Sequence, residues 1–202
     1  GIGMGLQNAL SKACGEDDTK SPKYYVANAY FIITLVACFL ALLVFVLFSV
    51  LPIEYLFKIE DQALLNNAVE ALKYSLIAFF LVMPIALIQR ILGGIQKTYV
   101  ANNVMLIGSV LSLLSILTAV HFDLGLTGLS VLFILSPSSA LLLYGLFFFF
   151  KNKLLRPRIS NLSKSHVAPI VSAGIWTVFV QIIYTAKMNV PTMIISASLG
   201  LL

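Results

Sequence analysis

The sequence predicts an all-α protein, a polytopic bundle of about six transmembrane helices with little material outside the bilayer. Of its 202 residues, 60% are hydrophobic and only 10% are charged, whereas about a quarter are charged in a soluble domain. The uncharged stretches are long enough to cross lipid as helices, which takes about 20 residues. The basic residues gather in alternate connectors between these stretches, as in multi-pass membrane proteins.

Each complete span is predicted within an uncharged stretch. These stretches are continuously apolar, which favours helices over the alternating strands of a membrane barrel. Gly1 to Ala13 is expected to be the tail of an earlier helix, and the chain is expected to be a fragment of a longer protein. The stretches contain 30, 16, 25, 27 and 22 residues and are bounded by Lys23 and Glu54, Lys73 and Arg90, Lys97 and Asp123, Asp123 and Lys151, and Lys164 and Lys187. The 16-residue stretch is predicted to be extended by the turn from Ala68 to Leu72 that precedes it.

The basic residues predict the orientation of the bundle. If the connector between Ala13 and Tyr24 is cytoplasmic, alternate connectors fall on the same side of the membrane. That side collects ten cations, and the opposite side has Lys58 and Lys73. Because cytoplasmic connectors carry the excess of Lys and Arg, the larger group marks the cytoplasmic side. Its members are Lys12, Lys20, Lys23, Arg90, Lys97, Lys151, Lys153, Arg156, Arg158 and Lys164.

Two connectors are long. The outward connector from Pro52 to Glu70 is acidic and is expected to include a short stretch at the membrane interface. The cytoplasmic connector from Lys151 to His166 is basic and is expected to act as a hinge or linker between two groups of helices. The sequence therefore divides into residues 1–150, a connector at 151–166, and residues 167–202.

Pro84 and Pro191 interrupt apolar helices. Each removes a backbone N–H donor and frees the carbonyl four residues earlier, at Phe80 and Lys187 respectively. Transporters use such breaks in discontinuous helices, but neighbouring groups or water can equally satisfy the freed carbonyl of a passive kink. Both prolines are hinge candidates, and the sequence leaves the two readings open.

Lys187 is a candidate for substrate binding, because charge inside a membrane is costly and marks function. A single helix from about Pro169 to Leu199 would place Lys187 within the membrane, with Asn189 as a further polar candidate. If a new helix begins near Asn189 instead, Lys187 snorkels to the interface. The polar residues before it lie on one stripe at helical spacing: Thr177, Gln181, Tyr184 and Thr185.

Arg90 and Lys97 form a second pair of candidates. They are expected two turns apart on one helical face, beside Gln89 and the glycine pair at 93–94. One interpretation is an anchor at the cytoplasmic interface. The other is a pair of cations facing a water-filled cavity, where they would meet a phosphate group.

The opening Gly1 to Gly5 (GIGMG) lacks the strand and the spacing of a nucleotide-binding loop. Small residues that let two membrane helices approach closely are the better interpretation. The sequence offers no pairing of a nucleophile with a base, no metal cluster and no phosphate loop. No catalytic residue, metal, cofactor or enzyme activity is therefore predicted, and nucleic acid is not an expected partner.

Three stretches carry a resemblance to a known family: Gly1–Gly15 (GIGMGLQNALSKACG), Pro84–Asn103 (PIALIQRILGGIQKTYVANN) and Gly174–Gly200. In order and spacing they resemble the O-antigen or polysaccharide (Wzx-type) flippases of the multidrug/oligosaccharidyl-lipid/polysaccharide exporter superfamily. They are similar to the end of helix two, the turn from helix four to helix five, and helix seven. Family members often carry an Asp-Asn pair before the Ile-Ile-Ser of helix seven, where this chain has Val190-Pro191-Thr192.

The resemblance implies a partial copy of a fold with about 12 to 14 helices in two lobes around a cavity. Residues 1–150 would supply the end of helix two through helix six of the N-terminal lobe, and residues 167–202 helix seven of the C-terminal lobe. It also implies a multi-pass protein of the bacterial inner membrane that moves undecaprenyl-pyrophosphate-linked oligosaccharide to the periplasmic leaflet by alternating access. Membrane lipids, a coupling proton or sodium ion, and a polysaccharide polymerase complex are the further partners that it implies.

Two other functions remain open. A multidrug or cation antiporter of the same fold would need carboxylates in its cavity, and the predicted spans lack them. The alternating connectors and kinked helices also allow a non-transporting membrane component of a polysaccharide assembly complex. The scarcity of acidic residues in the spans favours an anionic substrate.

Overall fold

The computed structural model describes residues 1–50 and 61–198, with side chains up to residue 190. Five of the helices within these ranges are long and apolar enough to cross a membrane, and a shorter one precedes them. The predicted all-α membrane bundle is therefore confirmed. In chain order the helices are α1 (Ile2–Gly15), α2 (Pro22–Val50), α3 (Gln62–Gly94), α4 (Thr98–His121), α5 (Gly125–Lys151) and α6 (Val167–Ser198).

Helix α3 begins earlier than predicted. The carboxylate of Asp61 accepts hydrogen bonds from the backbone N–H groups of Ala63 and Leu64, at 2.8 and 3.3 Å. This N-cap satisfies donors that would otherwise lack partners, so that the polar residues up to Glu70 are helical rather than part of a loop. The rest of the predicted outward connector, residues 51–60, lies outside the described residues.

The α3–α4 turn corrects the predicted relation between Arg90 and Lys97. Helix α3 ends at Gly94, and the backbone of Gln96 has a φ of 59°, a left-handed value that stops the helix. The two cations therefore do not share a helical face. Lys97 is exposed at the N-cap of α4.

Helix α6 is one continuous helix, and the sequence had left open whether a second helix begins within it. It runs without a break from Val167 to Ser198, so that no new helix begins near Asn189. The helix continues through Pro191, whose side chain lies outside the described residues.

Small residues bring α1 and α6 into backbone contact. A Cβ atom at Gly5 would overlap the carbonyl oxygen of Ile170, and one at Gly174 would lie 3.1 Å from the backbone nitrogen of Ile2. The interpretation of the N-terminal glycines as a close helix crossing is confirmed. Around this crossing is the core, whose fully buried side chains include Leu6, Leu10, Ile88, Ile91, Leu92 and Ile170.

Contacts between connectors place the predicted cytoplasmic loops at one end of the bundle. The hydroxyl of Ser11, near the end of α1, donates to the carbonyl of Gly94 at the end of α3, at 3.3 Å. Near the start of α2, the side-chain amide of Asn28 donates to the carbonyl of Ser163 at 2.9 Å and accepts from its N–H at 3.3 Å. The alternation of connectors on which the orientation depends is thus present in the fold.

The connector after α5 is docked against α2 and is not a free chain. It forms two short 3₁₀ turns, Ile159–Asn161 and Lys164–His166. The ring of His166 lies 4.9 Å from that of Tyr24 and 5.2 Å from that of Tyr25. This end of the connector is therefore fixed to the first turns of α2.

Candidate functional site

A cavity of about 770 Å³ opens between α1, α2, α3 and α6. On α3 its wall extends from Phe79 to Arg90, a distance of about 16 Å at 1.5 Å per residue. The glycines of α1 and α6 form part of the wall, because the close crossing of these helices leaves space beside it. The main side chains around the cavity are Met4, Ile33, Val36, Phe79, Val82, Met83, Arg90, Val171, Val178, Phe179 and Ile182.

The wall of this cavity is almost entirely apolar. Of the residues that line it, Arg90 alone has a charged or strongly polar side chain. Lys97, which one interpretation of the sequence placed beside Arg90 in a cavity, is not among the residues that line this one. An apolar wall excludes water and favours a hydrocarbon occupant.

Arg90 lies at one mouth of the cavity. It is four residues before the end of α3, which places it about 6 Å from that end of the helix. Its guanidinium Nη1 is 3.1 Å from the Met4 sulfur, and a thioether is only a weak acceptor. No carboxylate of the described residues lies within 4 Å of it, so that most of its donors are available to an anion.

Gly3 provides the room for this arginine. A Cβ atom at Gly3 would lie 3.1 Å from Cγ of Arg90, tighter than an ordinary van der Waals contact. The sequence analysis assigned the GIGMG stretch to helix packing alone and missed Gly3 and Met4 as neighbours of Arg90. No local pattern identifies them, because the contact joins residues that are 86 positions apart.

A second region, of about 520 Å³, is an open face of α6 alone and shares Val178 and Ile182 with the main cavity. Its polar side chains are Gln181, Thr185 and Asn189, which are four residues apart and therefore lie on one helical face. Two of the predicted site residues, Gln181 and Asn189, thus come together here. Asn189 also donates to the carbonyl of Thr185 at 2.8 Å.

Lys97 and Lys187 line neither of these two regions within the described residues. Lys187 is exposed, and at about 100° per residue it lies on the side of α6 opposite Val178. Its predicted part in substrate binding stays a prediction. Pro84 lies within α3 between two residues of the cavity wall, Met83 and Ala86, and its role as a hinge also stays a prediction.

These observations define a class of protein before any comparison. Long apolar helices, basic connectors at one end and an open cavity between helices are the features of a multi-pass membrane protein of the transporter type. The sequence model of the polysaccharide biosynthesis protein family matches residues 2–201. The chain belongs to this family, which includes Wzx-type flippases, and the resemblance seen in the sequence is confirmed. No curated protein and no solved structure matches the chain.

Proposed function

We propose that this protein is a flippase that moves a polyisoprenoid-pyrophosphate-linked oligosaccharide from the cytoplasmic to the periplasmic leaflet of the bacterial inner membrane. Membership of a polysaccharide biosynthesis family and the helical membrane fold support a transport role related to polysaccharide. The finer assignment depends on one observation. A long apolar cavity ends at a single cation that has no carboxylate partner among the described residues.

The two parts of this arrangement match the two parts of a lipid-linked substrate. The apolar wall from Phe79 to Arg90 is suited to part of a hydrocarbon chain, because it offers the chain van der Waals contacts in place of those with lipid tails. The guanidinium of Arg90 at the mouth is suited to a pyrophosphate, which it can bind through two parallel N–H···O bonds. A soluble sugar phosphate has no hydrocarbon chain that could pack against the apolar wall.

The polar face of α6 is the proposed contact for the sugars. Gln181, Thr185 and Asn189 present amide and hydroxyl groups, which can exchange hydrogen bonds with sugar hydroxyls. They lie at least seven residues beyond Gly174, which packs against α1 near Arg90, or about 10 Å further along the helix. A bound substrate would thus contact the main cavity and this face at once.

Alternating access is the proposed mechanism, in which the lobes open the cavity to one side at a time. Movement of the anionic substrate outward is favoured by about 2.3 kcal/mol per charge for each 100 mV, when the cell interior is negative. Pro84 in the cavity wall is a proposed bending point for this change.

The test uses the full-length protein in vesicles that contain a fluorescent undecaprenyl-pyrophosphate-linked oligosaccharide. The rate at which the sugar becomes accessible on the opposite face is measured. Arg90→Ala is expected to lower this rate at least about tenfold, because a charge-assisted hydrogen bond contributes about 1.5–3 kcal/mol and 1.4 kcal/mol is a factor of ten. Arg90→Lys should retain part of the rate, since it keeps the charge but loses the bidentate geometry.

Lys12→Ala is the matched control, because Lys12 is an exposed cation at the same end of the bundle and pairs with Glu16 at 3.9 Å. It should leave the rate unchanged. A native rate in Arg90→Ala would contradict the proposed role of the cavity. If the vesicles instead exchange a lipophilic cation for protons and move no lipid-linked sugar, the antiporter is the correct assignment.

A further inference from the structure

The basic connector carries exposed apolar side chains between its cations. Leu154 and Ile159 have 78% and 84% of their surface exposed, and Phe150, just before the connector, has 81%. The cations of the same stretch are also exposed: Lys151, Lys153, Arg156, Arg158 and Lys164. Residues 151–167 contain no acidic residue. This patch, residues 150–164, therefore presents charge and apolar surface together.

The patch is held by packed and hydrogen-bonded neighbours on both sides. Leu155 packs inward against the core, while its neighbour Leu154 is exposed. Asn28 is only 4% exposed and binds both backbone groups of Ser163. Because the backbone is fixed on both sides, the outward side chains form a pre-organised surface whose binding costs little conformational entropy.

Its position along α2 corresponds to the headgroup layer of the membrane. Helix α2 has 29 residues and is about 43 Å long, whereas the hydrocarbon core is about 30 Å thick. The first turns of α2 therefore extend into the interface. The connector docks there on Tyr24 and Tyr25, and tyrosine is enriched at this depth.

The cations of the patch have no carboxylate within 4 Å among the described residues. Acidic residues at this end of the bundle lie in the loop at 16–18. There the Asp18 carboxylate accepts hydrogen bonds from the backbone N–H groups of Lys20 and Ser21, at 2.8 and 3.1 Å. The Ser21 hydroxyl, followed by these two backbone bonds, lowers the pKa of the Asp18 carboxyl, and the charge of His166 makes a smaller contribution in the same direction. This acid is thus a partner of its own loop.

We infer that residues 150–164 form a binding surface for anionic phospholipids of the cytoplasmic leaflet, with phosphate groups on the cations and with Leu154 and Ile159 inserted between the lipids. An apolar side chain beside a cation suits the boundary between headgroups and acyl chains. Each basic residue near an anionic leaflet contributes about 1 kcal/mol, which corresponds to about fivefold in affinity.

The test places a fluorescent probe on Ser160→Cys of the full-length protein, with Cys14 and Cys38 replaced by serine because both are exposed and free. Nanodiscs contain nitroxide-labelled phosphatidylglycerol or nitroxide-labelled phosphatidylcholine. Phosphatidylglycerol should quench the probe at a severalfold lower mole fraction. Arg156→Gln/Arg158→Gln should reduce this preference at least about fivefold, whereas the matched control Lys12→Gln/Lys20→Gln should preserve it.

A second variant separates the apolar contribution from the charge. Leu154→Ser/Ile159→Ser should weaken quenching by both lipids. Equal quenching by the two lipids in the native chain, or a preference that survives Arg156→Gln/Arg158→Gln, would overturn the inference. Loss of the preference on addition of inorganic phosphate, but not of chloride at equal ionic strength, would assign the cations to a soluble phosphate ligand and would also overturn it.

Discussion

Gly5 determines how close α1 and α6 can come. Its missing side chain lets the carbonyl of Ile170 occupy the place of a Cβ atom. Contacts of this kind stabilise membrane helices through van der Waals packing, since lipid supplies no hydrophobic force between helices.

Gly5→Val should therefore destabilise the full-length protein by about 3 kcal/mol or more, because a buried overlap with backbone cannot be relieved by a rotamer change. The measurement is the thermal unfolding midpoint in detergent. Gly15→Ala is the control, because nothing lies within 4 Å of the added Cβ atom, and it should leave the midpoint unchanged or raise it. A native midpoint in Gly5→Val would show that this crossing is looser than described.

Asn28 is a buried polar side chain with two backbone partners on Ser163. Asn28→Ala leaves one N–H and one carbonyl without their partners and should cost about 1–3 kcal/mol. Limited proteolysis of the full-length protein should then cut the connector faster. Asn8→Ala removes an exposed asparagine of α1 and is the control, whose connector should be cut at the native rate. Equal rates of cleavage in the two variants would contradict the anchoring role of Asn28.

The sequence proposed Arg90, Gln181, Asn189, Lys97 and Lys187 together as candidates for a binding cavity. The structure places Arg90 in the wall of the main cavity and Gln181 and Asn189 on an open face of α6, whereas Lys97 and Lys187 line neither. The type of residue is visible in a sequence, whereas its direction depends on where a helix ends and which face it packs. Arg90 faces Met4 only because α3 packs on α1. Lys97 is separated from Arg90 by a turn that begins at Gly94, and Lys187 lies on the opposite side of α6.

At the scale of whole elements, apolar length predicted the helices well and polar stretches poorly. The bounds of α4 and α5 fall within two residues of the charges that were expected to limit them. The start of α3 was predicted six residues late, near Ala68, because Gln62, Asn66 and Asn67 interrupt the apolar pattern. The helical state of this turn depends on the Asp61 cap and on packing rather than on hydropathy. The docking of the connector on α2 could not be predicted, because it joins residues 135 positions apart.

Helix α3 contains Pro84 within the cavity wall. Pro84→Ala restores a donor to the carbonyl of Phe80 and removes a penalty of about 3 kcal/mol in a helix interior. If Pro84 is a hinge, the variant should raise the thermal midpoint and lower the flipping rate. Pro22→Ala is the control, because proline is tolerated at the first position of a helix, and an unchanged flipping rate in Pro84→Ala would make Pro84 a passive kink.

For the whole molecule, the distribution of charge predicts which end faces the cytoplasm. In intact cells, with the two native cysteines replaced, a membrane-impermeant thiol reagent should react with Asn66→Cys and should not react with Ser160→Cys. Both positions are exposed, so that a difference in labelling reports the side of the membrane on which each cysteine lies. Labelling of Ser160→Cys from outside would show that the predicted orientation is reversed and would remove the basis for the export direction.

The backbone contact between α1 and α6 limits how the two halves of such a transporter can move. Gly5 and Ile170 meet without a side chain between them, so that a small tilt of one helix would break the contact instead of being absorbed by a change of rotamer. The first turns of α6 should therefore travel with α1 as a single body, although the basic connector separates them in the chain. If the proposed transport cycle operates, its pivot is expected further along α6 than this crossing, and the segment at 151–166 is expected to act as a brace and not as the hinge.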